Sequence, residues 1–400
     1  MLFSEPHPRV RHAAGNLARG VASIAAAVLL FEGGLRIAGV KYSASLYTSD
    51  PVLGWALRPR SEGWSVDEGI NYVRINSDGM RDREHTVAKP PRTVRIALLG
   101  DSATEARQVA LEKTFAAALE RELNRAGAFG GRKVEILNFG VPGYSLVQQL
   151  LQLRERVWKY SPDIVIECFY TGNGVLNMHP TLNLQPAGAP FFRYRGSRLE
   201  LDDSRIRDLR SQEGRTRLHD RLADIVSRVR ILQMLSEARL TVKLWLPKRK
   251  PAASANDLPD NYASVFPYRP PGTPAMAEAW KMTEGVLRMM RDDVRARGVE
   301  FWIVTLPMAG ETLPDLSARA QLLKRLGTDT LFYPDMRIRD LCTAEGIPCL
   351  VLAPALADFA VRNKVHLNGF PNTRPDNGHW NEAGHEIAGR MIAQRLREGR

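Results

Sequence analysis

The chain contains the run Val94-Arg95-Ile96-Ala97-Leu98-Leu99, followed directly by Gly100-Asp101-Ser102. The mostly apolar run predicts a strand that is buried on both faces. The glycine and the polar residues after it indicate a turn, so we expect Ser102 just past the carboxyl end of that strand. Because α/β folds bind ligands at this end of their strands, the other parts of a functional site are expected there too.

Predicted strands and helices alternate along the rest of the chain. Buried strands are predicted at 94–99, 134–138, 164–169, 300–306 and 348–352, and helices at 112–124, 146–160, 275–297, 334–345 and 381–396. Helices of this length between strands indicate crossovers that join parallel strands. The predicted fold class is therefore α/β, a three-layer α/β/α sandwich around a mainly parallel central sheet.

The third and fourth strands are separated by about 130 residues, which is too long for an ordinary connection and predicts an insertion at about 175–272. Apolar residues at 222, 225, 226, 229 and 232 are spaced for one helix face, and segment 193–250 carries 16 cations and 8 anions. Two interpretations stay open. The insertion is an amphipathic helix packed on the main domain, or it is a basic surface, including Trp245 and residues 248–250, that binds anionic lipid or an anionic polymer.

The N-terminal segment is apolar between flanking charges. Extended over 17–40, it is long enough to span a bilayer, and Glu32 and Arg36 share a helix face near one end. Residues 1–40 are predicted to be a single-pass anchor in the inner membrane, with the body of the protein in the periplasm. A cleaved signal peptide, with small residues at 43–45, and a buried helix of a soluble protein are the alternatives.

Residues 41–91 are rich in turn residues and predict a small β-containing segment ahead of a main domain at 92–400. Composition excludes other classes, since 44% hydrophobic and 25% charged residues are globular values and three cysteines cannot form a disulfide scaffold. The net charge of +12 by itself would suit a protein that binds nucleic acid. No zinc-finger spacing, RNA-binding aromatic pattern or phosphate-binding glycine loop accompanies that charge, so no nucleic-acid partner is expected.

Four polar, glycine-bearing turns follow predicted strands or precede the last helix. They are 100–105 with Ser102, 138–145 with Gly143, 170–173 with Asn173, and 376–381 with Asp376 and His379. Turns at the carboxyl ends of parallel strands can converge on one edge of a sheet. Taken singly, each residue also has a structural explanation, because serine caps helices and asparagine and aspartate close turns.

These four blocks, in this order, resemble those of the SGNH hydrolases, also called the GDSL esterase and lipase family. The resemblance covers residues 95–396 apart from the insertion and implies an SGNH/flavodoxin-like sandwich. It matches Ser102 to the nucleophile, Asp376 and His379 to the Asp-x-x-His pair, and Gly143 and Asn173 to the glycine and asparagine of the middle blocks. Gly174 stands where many members have aspartate, which puts the local geometry of that loop in question. The order of hydrophobic helix, β segment and catalytic domain resembles a bacterial membrane-anchored branch.

The chemistry of these residue types agrees with the resemblance. A serine hydroxyl needs a base that takes its proton during attack, and the imidazole of His379 works near neutral pH. Asp376 is expected to hold the other ring nitrogen and to balance the imidazolium. The backbone N–H groups of Ser102 and Gly143, with the side-chain amide of Asn173, are expected to form the oxyanion hole.

Other reactive residue types are expected to be structural. His385 lies inside the last helix, Trp380 is expected to pack, and Cys168 lies in a buried strand. Cys342 and Cys349 flank a helix-to-strand turn, where they could form a disulfide outside the cytoplasm. No metal-binding cluster and no Gly-x-Ser-x-Gly elbow occur in the sequence, so neither a metal nor a cofactor is expected.

The sequence thus predicts a membrane-anchored, extracytoplasmic serine esterase. Its expected partner is an ester substrate, an O-acyl and especially O-acetyl group on a carbohydrate or cell-envelope polymer. Two alternatives remain: an O-acyltransferase that uses the same residues, and a catalytically silent module that binds an envelope polymer. The sequence leaves the oligomeric state open.

Overall fold

The computed structural model describes residues 8–40, 46–183, 188–196, 198–204, 206–207, 213–245 and 267–399. Helix α1, Pro8–Ile37, comes first, and its portion Arg19–Ile37 is long and apolar enough to cross a membrane. That portion is not buried against other parts of the protein, so it is consistent with an anchor or a signal sequence. Glu32 and Arg36 pair at 2.7 Å, as their spacing predicts. The small residues at 43–45 lie outside the described residues.

Residues 46–91 contain two antiparallel hairpins. The first joins β1 (Tyr47–Asp50) to β2 (Gly54–Leu57), and the second joins β3 (Glu62–Ser65) to β4 (Asn71–Arg74). Apolar residues of this segment belong to the core beneath one face of the main sheet, namely Leu46, Leu53, Leu57, Val73 and Ile75. The hairpins are therefore packed on the main domain, which brings the loop at residues 66–70 close to it.

The main domain alternates strands and helices. In chain order these are β5 (Thr93–Leu99), α2 (Ser102–Glu105), α3 (Phe115–Arg125), β6 (Lys133–Asn138), α4 (Leu146–Gln152), β7 (Ile164–Tyr170), α5 (Asn173–Leu176), β8 (Phe191–Arg195), β9 (Arg198–Asp202), α6 (Glu213–Arg228), α7 (Arg230–Trp245), α8 (Pro274–Arg295), β10 (Glu300–Leu306), α9 (Leu316–Leu326), α10 (Tyr333–Glu345), β11 (Cys349–Val351), α11 (Ala353–Asn363) and α12 (Glu382–Glu398). The five predicted strands are confirmed to within one residue at each end.

Five parallel strands form the central sheet in the order β11-β10-β7-β5-β6. One face packs on α4, α8 and α10 through residues such as Leu150, Trp280 and Ile338. The other face packs on α3, α11 and α12 through residues such as Leu119, Leu356 and Ile392. The predicted three-layer α/β/α sandwich is confirmed.

The helices differ more from prediction than the strands do. The helix predicted at 146–160 is α-helical only to Gln152 and continues as a π-turn at Leu153–Val157 and a 3₁₀ turn at Trp158–Tyr160. Helices α9 and α11 were not predicted from the sequence. Cys342 and Cys349 are both free thiols in this structure.

The insertion contains the β8–β9 hairpin and the helix pair α6 and α7. The prediction of one continuous apolar helix face is wrong, because the helix breaks at Val229 and leaves Leu222 and Ile225 about half exposed. The carboxylate of Glu32 accepts the backbone N–H groups of Arg230 and Ile231, each at 3.0 Å, and so caps α7. Residues 248–250 lie outside the described residues.

Candidate active site

Ser102 lies at the carboxyl end of β5, in the first turn of α2. Asp101 caps this turn, since its Oδ1 accepts the N–H of Ala103 at 2.9 Å. Gly100 leaves no room for a side chain, because a Cβ there would lie 2.0 Å from Oγ1 of Thr104. These contacts hold the partly exposed Ser102 at the edge of the sheet where the sequence places it.

His379 reaches Ser102 from the loop that precedes α12. Its Nε2 lies 2.8 Å from Oγ of Ser102, although the two residues are 277 positions apart. A β-bridge between Asn368 and Trp380 spans this loop, and the side-chain amide of Asn368 donates to the carbonyl of Gly378 at 2.9 Å. The hydroxyl and the imidazole therefore stand as a nucleophile stands next to its base.

The other ring nitrogen of His379 faces Glu68, in the loop between β3 and β4. Oε2 of Glu68 lies 2.7 Å from Nδ1 and also accepts the backbone N–H of His379 at 2.9 Å. Burial opposes ionisation of Glu68, but the hydrogen bonds and charge of His379, with Arg107 nearby, outweigh it and lower the pKa of that carboxyl. An ionised carboxylate can accept the proton on Nδ1, which leaves Nε2 free to take a proton from Ser102.

Asp376 makes no hydrogen bond with the ring of His379, whose Nδ1 faces Glu68, so the predicted pairing of these two residues is wrong in this structure. Its Oδ2 pairs instead with Nδ1 of His366 at 2.8 Å. The cause is local backbone geometry, because Asp376 has a left-handed φ of +58° and Gly378 follows with +71°. This double turn directs the carboxylate of Asp376 toward His366, and Glu68 takes the place beside His379.

The predicted oxyanion residues lie in neighbouring turns. Asn173 begins α5 directly after β7 and lines the same cleft as His379. Gly143 belongs to the turn after β6, where its φ of +78° favours glycine. The side-chain amide of Asn177 donates to the carbonyl of Gly143 at 3.4 Å, which links the two turns.

The cleft beside His379 encloses about 90 Å³. Its apolar lining includes Tyr170, Leu306, Pro307 and Trp380, and Asn173 and His379 supply polar groups. Trp380 is otherwise buried in the core, in agreement with the packing role expected for it. A space of this size holds only a few water-sized groups.

Three buried titratable groups surround the site without touching its reacting atoms. Burial raises the pKa of Asp101 to about 6 and that of Glu105 to about 7. Burial, with the positive charges of Arg81 and His379, lowers the pKa of His385 to about 3. His385 accepts the N–H of Phe115 through Nδ1 at 3.3 Å and stacks on its ring, which agrees with the structural role expected for it.

Among the residues that the structure describes, no group of three His, Cys, Asp or Glu side chains is arranged to hold a metal ion. Sequence reasoning missed Glu68. Among the described residues, its side chain is the one hydrogen-bond partner of Nδ1 of His379. Glu68 belongs to no motif, and its partner is 311 positions away. Its only local signal is an acidic residue in a glycine-containing turn, which is common in ordinary loops.

No protein-family model matches this sequence, and no curated protein matches it. The chain is similar to several solved structures at low identity. An acetyl xylan esterase, AlAXEase, has a TM-score of 0.36 and 12% identity over 76% of this chain and 99% of that chain. A lipase/acylhydrolase from Enterococcus faecalis has a TM-score of 0.35 and 13% identity over 76% of this chain and 96% of that chain. A catalytic mutant of Axe2, an acetylxylan esterase from Geobacillus stearothermophilus, has a TM-score of 0.39. Its identity is 12% over 76% of this chain and 94% of that chain.

Proposed function

We propose that this protein is a serine esterase of the SGNH hydrolase type, with Ser102 as nucleophile and His379 as general base. The observation that carries the proposal is the 2.8 Å contact between Oγ of Ser102 and Nε2 of His379. It lies at the carboxyl edge of a parallel sheet, where α/β folds perform their chemistry. The four sequence blocks that resemble the SGNH family support the same assignment.

In the proposed reaction, Oγ of Ser102 attacks the ester carbonyl carbon while its proton passes to Nε2 of His379. Collapse of the tetrahedral intermediate breaks the bond to the alcohol oxygen, which takes the proton from His379 and leaves as the alcohol. Water then attacks the acyl-serine and gives a proton to His379. A second collapse returns that proton to Ser102 and releases the carboxylic acid.

The backbone N–H groups of Ser102 and Gly143 and the side-chain amide of Asn173 are the proposed donors to the oxyanion. Support comes from Asn173, which shares the cleft with His379, and from the hydrogen bond that links its helix to Gly143. Loss of one such donor typically costs about 2.7 to 4 kcal/mol of transition-state stabilisation.

The proposed substrate is a short O-acyl ester, in particular an acetyl ester, on a carbohydrate or envelope polymer. The small volume of the cleft, about 90 Å³, supports the short acyl group. The apolar wall of Tyr170, Leu306 and Pro307 would contact a methyl group rather than a charged one. The identity of the alcohol rests on the proposed location outside the cytoplasm.

The proposed location is the inner membrane, with α1 as a single-pass anchor and the catalytic domain in the periplasm. Support comes from the 19-residue, mostly apolar stretch at Arg19–Ile37, none of which is buried in the protein. The charges of Glu32 and Arg36 pair near one end of this stretch, where a bilayer tolerates them better than at its centre.

The function is tested by labelling with a serine-directed phosphonate and by hydrolysis of p-nitrophenyl acetate and decanoate. We expect the wild type to be labelled and to prefer acetate by about tenfold or more in kcat/KM. Ser102→Ala should lose labelling and about 10³-fold or more of kcat. Addition of a sugar acceptor then separates hydrolysis from acyl transfer by its products.

The matched control is Ser161→Ala, which removes an exposed serine at the opposite, amino-terminal end of β7. It should retain both labelling and turnover. Labelling of Ser102→Ala as strong as that of the wild type would contradict Ser102 as the nucleophile.

A further inference from the structure

We infer that Glu68, rather than Asp376, is the positioning residue that orients His379 and balances its charge, so that the second N-terminal hairpin completes the active site. This inference deepens the proposed function and rests on it. Glu68 makes two contacts with His379, at 2.7 Å to Nδ1 and at 2.9 Å to the backbone N–H. A carboxylate bound to both the ring and the main chain of one histidine fixes the orientation of the imidazole.

The approach of Glu68 depends on the glycine that precedes His379. A Cβ at Gly378 would lie 2.6 Å from Oε2 and 2.7 Å from Oε1 of Glu68. Real Cβ atoms do not come so close to other heavy atoms, so only glycine leaves this space to the carboxylate. The turn before His379 is therefore shaped to receive Glu68.

The loop that carries Glu68 is fixed to the main domain on both sides. The side chain of Asn372 accepts the N–H of Gly69 at 2.9 Å and donates to the carbonyl of Val66 at the same distance. Gly69 has a φ of +67° and lies against the backbone of Gln108, where a Cβ would be 2.4 Å from the carbonyl oxygen. These contacts leave the carboxylate little freedom to move away from His379.

Asp376 is already occupied by a different partner. Its carboxylate pairs with His366, and its backbone N–H donates to the carbonyl of Asn368 at 3.1 Å. Asp376 thus supports the base of the loop that carries His379. Its effect on catalysis should be indirect and smaller than that of Glu68.

The proposed role of Glu68 concerns the proton on Nδ1. By accepting this proton, the carboxylate favours the tautomer whose Nε2 is free to take the proton of Ser102. When His379 becomes an imidazolium, the negative charge of Glu68 stabilises it. Glutamine at position 68 keeps the shape but loses the charge, and its amide can turn a donor toward the ring.

The first test compares four variants of the full chain in detergent by steady-state hydrolysis of p-nitrophenyl acetate. Glu68→Gln should lower kcat by about 10² to 10⁴-fold, with KM changed by less than about threefold. Glu68→Asp should recover part of that loss. Asp376→Asn should cost less than about tenfold, because asparagine tolerates the left-handed backbone at this position.

The matched control is Asp67→Asn, which removes a charge from the same loop. Asp67 is 83% exposed, and its contact with Arg107 is 3.7 Å long, so turnover should stay within about twofold of wild type. A larger loss in Asp376→Asn than in Glu68→Gln would overturn the inference.

A second readout does not depend on turnover. A ring N–H that is hydrogen-bonded to a carboxylate gives a strongly downfield proton resonance, which ¹⁵N-labelled histidine assigns. This resonance should be present in the wild type and in Asp376→Asn, and it should vanish in Glu68→Gln. Its loss in Asp376→Asn alone would also overturn the inference.

Failure of the proposed function gives a different result. If Ser102 carries no phosphonate label while the downfield resonance still depends on Glu68, the pairing holds and the esterase assignment fails. If Ser102 is labelled and Glu68→Gln keeps full turnover, the esterase assignment holds and the role of Glu68 fails.

Discussion

Ionisation of the carboxyl groups at the candidate site depends on burial and hydrogen bonding more than on proximity in sequence. Asp101 and Glu105 flank Ser102 in the chain, yet burial raises the pKa values of these carboxyls to about 6 and about 7. Glu68 comes from a separate hairpin, and its pKa is lowered because hydrogen bonds from His379 outweigh its burial. Near neutral pH the most fully ionised of these three carboxylates is therefore the one that contacts the imidazole.

His385 should make stability depend on pH. The pKa of this histidine is lowered to about 3 in the folded protein, chiefly by burial, whereas an unfolded histidine titrates near 6.5. Between these values the unfolded chain binds more protons, so the free energy of unfolding falls as the pH is lowered. His385→Gln cannot take up this proton. Between pH 6.5 and pH 4.5 the free energy of unfolding of this variant should rise by about 2 kcal/mol relative to that of the wild type.

Urea unfolding of both proteins at several pH values between 4.5 and 7.5 measures this difference. His366→Gln is the control, because its side chain is 52% exposed and pairs with Asp376 rather than lying in the core. Parallel pH profiles for wild type and His385→Gln would contradict a neutral, buried His385.

At the scale of elements, the sheet was predictable because each strand is a short apolar run between turn residues. Helix α9 lies at the surface, and Leu326 is its only buried residue, so it lacks the strongly apolar character of the strands. Helix α11 begins two residues after β11, with a proline in its first turn, and the sequence does not separate such a start from a loop.

Most of the predicted site residues follow strands, and His379, predicted from its motif, precedes the last helix. Ser102, Gly143 and Asn173 stand just past strand ends, so parallel topology alone brings them to one edge. The partner of Nδ1 was not predictable, because it comes from a hairpin loop through tertiary contacts. The three-residue spacing of Asp376 and His379 was misleading, since a left-handed backbone at Asp376 turns its carboxylate away.

The turn before His379 supplies a test at this scale. Gly378→Ala should displace Glu68, because the new Cβ would lie within 2.7 Å of its carboxylate. We expect kcat for p-nitrophenyl acetate to fall by about tenfold or more, with the downfield resonance of His379 weakened.

Gly127→Ala is the matched control. It has a similar positive φ of +57° but no atom within 4 Å of the new Cβ, so it carries the backbone strain without the collision. Equal losses of kcat in both variants would attribute the effect to strain alone.

At the scale of the whole molecule, the ends of the chain meet at the site. Glu68 and His379 are 311 positions apart, and Ser102 and His379 are 277 apart, so both contacts form only when the second N-terminal hairpin and the C-terminal loop have docked on the sheet. The hairpins follow α1 closely in sequence. Glu32 of α1 also caps α7 of the insertion, which places that helix pair beside the end of the apolar helix.

This arrangement leads to a prediction about the membrane. If α1 is an anchor, the chain expressed in a bacterial host should keep its full mass and stay in the membrane after alkaline carbonate extraction. Val28 lies near the middle of the apolar stretch and is 50% exposed. Val28→Lys should cost about 3 kcal/mol of insertion free energy and should release protein to the soluble fraction. The matched control is Val87→Lys, at a position that is 48% exposed but lies in the N-terminal β segment. It should leave membrane retention unchanged, because the same charge then stays in water.

A mature protein whose mass shows an N-terminus near residue 45 would instead indicate a cleaved signal peptide. Full-length protein in the soluble fraction would indicate that α1 is covered by protein rather than by lipid.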